Sequence, residues 1–193
     1  MLILASKSPR RKELLSKIYN EEFKIIPSNA REDDVTSDSL YSLPLKIALK
    51  KGMELSREYK EDVVLSSDTI VIFNNEKFGK PKDEEDARRM LRALNETKHD
   101  VVTSYCLIKD GKVLITREEI SSLILHNLNE EAIDRYIKTL SPFDKAGAYG
   151  IQDEDYISST IVKGYYSTVM GLPIEVLQKD LESIKNLLEK HPR

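Results

Sequence analysis

An apolar run that leads directly into a helix start is the feature that most constrains this fold. Residues 2–5 (LILA) are all apolar, which is typical of a short strand buried in a sheet. Ser8 and Pro9 follow at the positions that an N-cap and a first helical residue prefer. The chain therefore begins with a predicted strand and helix in close succession.

The same mixture of strand and helix patterns continues along the chain. Short apolar or alternating runs predict strands at residues 23–26, 63–73, 99–108 and 112–125. Helical spacing predicts helices at 42–59, 83–94, 130–140 and 173–190, the last with a break near residue 180. Asp110-Gly111 is a hairpin signal, and residues 141–172 are expected to hold short strands at best. Together these patterns indicate an α/β fold with a mixed sheet and flanking helices.

Composition excludes several classes of protein. The 193 residues carry 30 basic and 33 acidic side chains, so the chain lacks the basic surplus expected of a nucleic-acid-binding protein. No apolar run approaches the ~20 residues that span a bilayer, and the first residues do not resemble a signal peptide. The single cysteine, Cys106, excludes an internal disulfide framework and a cysteine-based zinc site. We expect one domain over residues 1–193, located in the cytoplasm.

The first candidate site follows the first predicted strand. Residues 6–12 (SKSPRRK) place Ser6, Arg10 and Arg11 at the start of a helix, where free backbone N–H groups attract anions. Cations are unfavourable there without a ligand, because the helix dipole is positive at that end. This pattern suits a polyphosphate. A solvated basic first turn is the alternative.

The second candidate is a polar island inside the strand predicted at 63–73. Residues 66–69 (SSDT) interrupt an apolar run, and a buried carboxylate costs free energy unless it is paired or bound. Asp68 is therefore a candidate functional residue. The alternative is that the island marks a bulge or the end of the strand.

Two further segments are weaker candidates. Lys80 lies between Gly79 and Pro81 in a turn, and such a lysine can serve as a point charge on phosphate. Residues 144–152 (DKAGAYGIQ) contain small residues that let backbone approach a ligand, and Gln152 offers a donor and an acceptor. A surface turn and a tight structural turn are the respective alternatives.

Several common catalytic motifs are absent from the sequence. There is no P-loop, no Rossmann glycine fingerprint and no nucleophile elbow. His99, His126 and His191 lie far apart in the sequence, and Cys106 lies in an apolar strand without an evident base. We therefore expect Cys106 to be a core residue.

Taken in order, four motifs resemble one family. ASKSPRRKELL at 5–15, SDTIV at 67–71, GKP at 79–81 and DKAGAYGIQ at 144–152 are similar to the motifs of the Maf family of nucleoside triphosphate pyrophosphatases. The resemblance extends from Leu2 to about Pro173. It implies an extended mixed sheet with two lobes around a cleft, as in inosine triphosphatases. The implied reaction cleaves a nucleoside triphosphate between the α- and β-phosphates, with Mg²⁺ or Mn²⁺.

The resemblance also implies roles for individual residues. It makes Asp68 the proton acceptor and Glu32 the acidic loop residue, with Asp33 adjacent to it. Glu32 and Asp68 would hold the metal. The implied lysines are Lys51 and Lys80. The residues implied in phosphate binding are Ser6, Arg10 and Arg11. Arg10, Thr69 and Gln152 are similar to the residues of the branch that acts on dTTP and UTP.

Two departures from the family pattern are visible. Residues 153–156 (DEDY) replace the usual glycine-rich turn after Gln152, and Arg31 replaces an acidic residue before Glu32. Modified pyrimidine nucleotides are further candidate substrates, and a homodimer is compatible with the sequence. A nucleotide-binding regulatory protein of cell division with little hydrolysis is the alternative function.

Overall fold

A computed structural model describes residues 1–189, so the predictions made for Lys190 and His191 lie outside the described residues. The described strands are β1 (Leu2–Leu4), β2 (Phe23–Ile25), β3 (Val63–Phe73), β4 (Glu76–Phe78), β5 (Lys98–Lys109), β6 (Lys112–His126) and β7 (Ser158–Lys163). The described α-helices are α1 (Pro9–Ile18), α2 (Leu43–Glu58), α3 (Glu84–Leu94), α4 (Glu130–Lys138), α5 (Tyr166–Met170), α6 (Ile174–Ser183) and α7 (Lys185–Leu188). Short 3₁₀ helices cover Ser141–Asp144 and Ala146–Ala148.

The strands form one mixed seven-stranded sheet. Its order is β2-β1-β3-β5-β6-β7, and β4 pairs with β3 off this path. The strand β1 runs parallel to both β2 and β3, whereas β4 and β7 each pair with a neighbour in antiparallel orientation. The predicted α/β class with a mixed sheet and flanking helices is confirmed.

Three helices begin at side-chain caps, and the cap of α1 is the predicted Ser8. The side chain of Ser8 accepts a hydrogen bond from the backbone of Arg11, and Asp83 caps α3 in the same way. Asn129 caps α4. These side chains satisfy backbone N–H groups that have no partner within the helix, which fixes where each helix begins.

The hairpin between β5 and β6 is built on Asp110 and Gly111. Both residues have positive φ angles, 46° and 68°. Two successive positive angles define the turn type whose twist matches the flanking strands, and asparagine or aspartate followed by glycine favours it. The predicted hairpin is confirmed.

The chain divides into two compact units. Unit 1 contains residues 1–68, residues 103–119 and the chain from Gly171 onward, and unit 2 contains residues 69–102 and 120–170. Within unit 1, buried Ile3, Leu55 and Val64 pack in one apolar cluster. Within unit 2, ion pairs join α3 to α4, including Arg92 with Glu130.

Some boundaries differ from the predictions. The predicted helix at 130–140 ends at Lys138, because Leu140 adopts a left-handed φ of 63°. The C-terminal helical region breaks at Ile184 rather than near residue 180. The strand β4 was not predicted. The polar island does not end β3, which continues to Phe73, so the alternative that it marks the end of the strand is wrong.

Within residues 1–189, no helix is both long enough and apolar enough to cross a bilayer. Cys106 is fully buried on β5, beside the α2 residue Ala48, as predicted for a core residue. Burial raises the pKa of its thiol to about 12, so Cys106 is a thiol rather than a thiolate at neutral pH.

Candidate active site

The turn from β1 into α1 is organised by two serine hydroxyls. Ser6 Oγ accepts a hydrogen bond from the backbone N–H of Ser8 at 3.1 Å and one from the Arg11 guanidinium at 3.4 Å. Ser8 Oγ accepts from the backbone N–H of Arg11 at 3.4 Å. The first turn of α1 contains no acidic residue. The helix start therefore presents positive charge without an acidic side chain in its own first turn to compensate it.

Arg11 is fixed by a backbone carbonyl that comes from the C-terminal part of unit 1. Its Nε donates to the carbonyl oxygen of Gly171 at 2.8 Å, and Ser67 Oγ donates to the same oxygen at 3.1 Å. The sequence indicated no functional role for Gly171 or for Ser67 individually. The carbonyl of Gly171 thus links the predicted phosphate-binding turn to the polar island of β3.

Lys51 is the centre of the acidic part of the site. It lies in the middle of α2, and its Nζ is 3.2 Å from Glu32 Oε1 and 3.3 Å from Asp68 Oδ1. Lys51 and Asp68 are buried, whereas the Glu32 side chain is half exposed. One ammonium group therefore bridges a buried carboxylate and a carboxylate that faces solvent.

The pKa of Asp68 is raised above its ordinary value. Burial is the main cause because it disfavours the charged form, and the nearby Glu32 carboxylate acts in the same direction. Lys51 and Arg11 oppose this shift through their positive charges. A carboxylate with a raised pKa and cations beside it is suited to accept a proton from water.

The pKa of Arg11 is lowered by burial, and the negative charge of Asp68 opposes that shift. An arginine stays protonated in proteins even so, because its ordinary pKa lies above 12. Arg11 in the turn therefore interacts electrostatically with the Asp68 and Glu32 carboxylates of unit 1. Arg10 lies next to Arg11 in the first turn of α1 and is partly exposed.

The remaining predicted residues, Thr69, Lys80 and Gln152, belong to unit 2. Lys80 is exposed, and the carbonyl of Gly79 beside it accepts a hydrogen bond from Gly147 N at 3.1 Å. This bond joins the turn that carries Lys80 to the segment that leads to Gln152. The side-chain oxygen of Gln152 is buried and has no hydrogen-bond partner among residues 1–189.

With this geometry established, comparison with known proteins identifies the family. A model of the Maf-like protein family matches residues 1–184. The chain belongs to the Maf-like family. The resemblance that the four sequence motifs indicated is confirmed.

Relatives of this Maf-like chain have been named for their activity. The dTTP/UTP pyrophosphatase of Pyrococcus furiosus is 40% identical over 181 residues, which is 94% of each chain. The dTTP/UTP pyrophosphatase of Aquifex aeolicus is 40% identical over 190 residues, 97% of this chain and 96% of the relative. The protein of the same name from Clostridioides difficile is 41% identical and covers 91% of both chains.

Solved structures share the fold at low sequence identity. The HAM1 protein of Coxiella burnetii superposes with a TM-score of 0.55 at 16% identity and covers 94% of this chain and 98% of its own. The Ham1 protein of Staphylococcus aureus gives a TM-score of 0.50 at 16% identity, with 95% and 98% covered. The Maf-like chain therefore has the Ham1-like fold, which agrees with the predicted likeness to inosine triphosphatases.

The structure of this Maf-like chain brings together five of the predicted residues. These lie in unit 1 and are Ser6, Arg11, Glu32, Lys51 and Asp68. The resemblance implied Glu32, with Asp33 adjacent to it, and the Glu32 carboxylate contacts Lys51, which also contacts Asp68. The sequence contained no signal for the Gly171 carbonyl, because a backbone acceptor has no signature in the residue type.

Glu32 and Asp68 are the two carboxylates of this site that could hold a divalent cation. Among the described residues, no group of three or more His, Cys, Asp and Glu side chains is placed to hold a metal. Mg²⁺ is commonly held by only one or two carboxylates, with water and substrate phosphates completing the shell. Glu32 and Asp68 together supply two carboxylates, a number that is common for such an ion.

Proposed function

We propose that this chain is a nucleoside triphosphate pyrophosphatase that hydrolyses dTTP and UTP to the monophosphate and pyrophosphate. The observation that carries the proposal is the buried Asp68 carboxylate with Lys51 in contact and Arg11 close enough to influence its pKa. Relatives at about 40% identity that are named dTTP/UTP pyrophosphatase support it. A protein that only senses nucleotides has no need of a carboxylate that activates water.

The phosphate groups of a nucleoside triphosphate repel an incoming nucleophile, so catalysis requires neutralisation of their charge and a positioned water. We assign phosphate binding to Ser6, Arg10 and Arg11 at the start of α1, where the helix dipole and free N–H groups also attract anions. In unit 2, we assign Lys80 to phosphate and the Gln152 amide to the base, and Thr69 is a further residue that the resemblance associates with the dTTP/UTP branch.

Asp68 is the residue that takes the proton from the attacking water. Its raised pKa makes it a stronger base than an exposed aspartate, and Lys51 keeps it charged. Glu32 stands on the solvent side of Lys51. Glu32 and Asp68 would hold one Mg²⁺ or Mn²⁺, which when bound neutralises phosphate charge and lowers the pKa of a coordinated water.

Product analysis is the direct test of the reaction. The protein is incubated with UTP, dTTP, CTP and ATP in the presence of Mg²⁺ or Mn²⁺, and pyrophosphate and phosphate are measured separately. We expect pyrophosphate from UTP and dTTP and little from ATP. Release of single phosphate, or no product from any nucleotide, would contradict the proposal.

Asp68→Asn tests the role of the carboxylate. The amide cannot accept the proton, so we expect turnover to fall by about 10²- to 10⁴-fold. Binding of a non-hydrolysable α,β-imido analogue of UTP should persist, which isothermal titration measures. Asp34→Asn changes an exposed carboxylate of the same loop as Glu32 and is the matched control. Normal turnover in folded Asp68→Asn would remove Asp68 from the mechanism.

We also propose a cytoplasmic location, and a homodimer is compatible with the sequence. Light scattering during gel filtration measures the assembly state: a mass of about twice 22.1 kDa supports the dimer, and a mass of 22.1 kDa contradicts it.

A further inference from the structure

The three acidic residues at 153–155, which follow Gln152, differ in their exposure to solvent. Glu154 and Asp155 are exposed, whereas the Asp153 side chain is only 20% exposed. The sequence does not indicate this difference in exposure, because residues 153–155 (DED) are all acidic. Asp153 therefore points into unit 2, and its contacts there define what it does.

The Asp153 carboxylate is held by two hydroxyl groups and an ammonium group. Its Oδ2 accepts a hydrogen bond from Tyr136 OH at 2.6 Å and one from Ser141 Oγ at 2.8 Å. Lys145 Nζ lies 3.7 Å from the same oxygen. Lys145 is itself buried and donates to the carbonyl and hydroxyl oxygens of Ser141 at 2.7 and 2.6 Å. The carboxylate is thus anchored to α4 and to the 3₁₀ helix that follows it.

The same hydroxyl group of Tyr136 also binds the other end of the turn. It accepts a hydrogen bond from Gly150 N at 2.9 Å while it donates to Asp153. The backbone closes the turn as well, because Asp153 N donates to Gly150 O at 3.0 Å. Gln152 is therefore contained in a four-residue turn whose two ends are held by one phenol.

Space around Gly150 shows how closely the Gln152 side chain is seated in this turn. A Cβ atom at Gly150 would lie 2.7 Å from Gln152 Nε2, 2.7 Å from Lys145 Cε and 2.9 Å from Asp153 Oδ2. The Gln152 amide, the Lys145 side chain and the Asp153 carboxylate therefore all lie close to Gly150, where a side chain would otherwise be. The Gln152 Oε1 atom is buried without a hydrogen-bond partner among residues 1–189.

We propose that Asp153 is a positioning residue for base recognition: through Tyr136 it fixes the turn that presents the Gln152 amide. This inference rests on the proposed function, in which Gln152 contacts the base. The N3–H group of uracil or thymine is a donor, and the partnerless oxygen of Gln152 is an acceptor that is set in place before the ligand arrives. An acceptor fixed in advance loses less conformational entropy on binding than one on a mobile turn.

The experiment compares kcat/KM for UTP, for CTP and for ribose 5-triphosphate, which has no base. In Asp153→Ala, and in Tyr136→Phe, the preference for UTP over CTP should fall by roughly three- to tenfold, the value of one hydrogen bond. Turnover of the base-free substrate should stay at the wild-type level. Asp155→Ala removes an equal charge at an exposed neighbouring position and should leave the preference unchanged.

A double-mutant cycle with Gln152→Ala tests whether Asp153 acts through Gln152. If it does, adding Asp153→Ala to Gln152→Ala produces no further loss of preference. Asp153→Asn, which keeps one acceptor oxygen, should retain most of the preference, and thermal melting verifies that each variant is folded.

The outcomes separate the two proposals. A wild-type protein that releases no pyrophosphate from any nucleotide overturns the proposed function. An active wild type with an unchanged UTP preference in folded Asp153→Ala overturns the role of Asp153. An equal loss on all three substrates also overturns it, because that result indicates a general structural effect.

Discussion

At the scale of single residues, one ammonium group is central to the proposed active site. Lys51 contacts a buried and a half-exposed carboxylate, and burial alone would favour the neutral form of Asp68. The positive charges of Lys51 and Arg11 partly offset that effect. The charge state of the proposed base is therefore set by its neighbours rather than by the ordinary pKa of an aspartate.

Lys51→Ala should move the acidic limb of the pH profile to higher pH. Lys51 lowers the pKa of Asp68, so its removal raises that pKa further, and the carboxylate form appears only at higher pH. We expect the midpoint of the acidic limb of kcat/KM to shift upward, measured between about pH 5 and 9. Lys50→Ala alters the adjacent, more exposed lysine, which pairs with Asp34, and should not move the limb. A lower rate with an unmoved limb would show that Lys51 does not tune Asp68.

At the scale of elements, α2 brings Lys51 to the sheet because its buried residues recur at helical spacing. Ile47, Ala48, Lys51, Gly52 and Leu55 are buried on one face. Gly52 has a packing role on that face: a Cβ there would lie 3.0 Å from Ile108 Cδ1, 3.1 Å from Ser66 Cβ and 3.2 Å from Cys106 Sγ. The absence of a side chain lets the helix approach β3 and β5 closely.

Gly52→Ala should therefore destabilise the protein, although alanine has the higher helix propensity. The propensity gain is at most about 1 kcal/mol, whereas overpacking a filled core costs about 1 to 3 kcal/mol. Urea unfolding measures the change, and Arg57→Ala on the exposed face of α2 is the control. Increased stability of Gly52→Ala would mean that the three neighbours relax at little cost.

At the scale of the whole molecule, unit 1 is assembled from three separate stretches of chain. Asp180 on α6 connects two of them. It accepts a hydrogen bond from Tyr105 OH at 2.5 Å and a two-point contact from Arg117 at 2.9 and 2.7 Å. Asp180 and Tyr105 are buried, so their hydrogen bonds cannot be replaced by water without rearrangement.

Asp180→Ala should lower the free energy of unfolding by about 2 to 4 kcal/mol, because it leaves the Tyr105 hydroxyl without its acceptor and Arg117 without its counter-ion. Glu182→Ala, at an exposed position of the same helix, is the control. Chemical unfolding of both variants checks the expectation. An Asp180→Ala protein as stable as Glu182→Ala would show that the hydrogen bonds of Asp180 contribute little to stability.

The dependence of the free energy of unfolding on pH is also a property of the whole molecule. We base our expectation for it on His99. His99 is 2% exposed. Its Nε2 forms a hydrogen bond with Tyr149 OH at 2.8 Å, and its Nδ1 lies 3.4 Å from the Thr97 carbonyl oxygen. Burial lowers its pKa from 6.5 to about 4, while Thr97 and the nearby Asp100 act in the opposite direction. The folded protein therefore prefers neutral His99.

The unfolded state binds a proton on His99 more tightly than the folded state does. The contribution of neutral His99 to the free energy of unfolding is therefore fully present above about pH 6.5 and is lost as the pH falls towards 4. We expect a loss of about 2 kcal/mol at pH 5, measured by urea unfolding across this range. His99→Gln should flatten the dependence, whereas Tyr149→Phe, which keeps the imidazole, should retain it. A wild-type stability that is constant from pH 7 to 5 would contradict the assignment.

The sequence by itself determined the local structure and the residue types of the site. Apolar runs, cap residues and the Asp110-Gly111 turn predicted most elements, because these signals act over a few neighbouring residues. A carboxylate inside an apolar strand made Asp68 a candidate functional residue, since the cost of burying a charge is visible in the residue type alone. The ordered motifs identified the family.

Only the tertiary structure decided how these residues meet. Arg11 is held by a carbonyl 160 positions away, Lys51 joins Glu32 to Asp68, and Asp153 turns inward while its acidic neighbours stay exposed. Such contacts depend on backbone oxygens and on the packing of distant elements, which leave no local pattern. The sequence could therefore specify which groups are candidates for the site, whereas their charge states and orientations follow from burial and from partners that folding brings together.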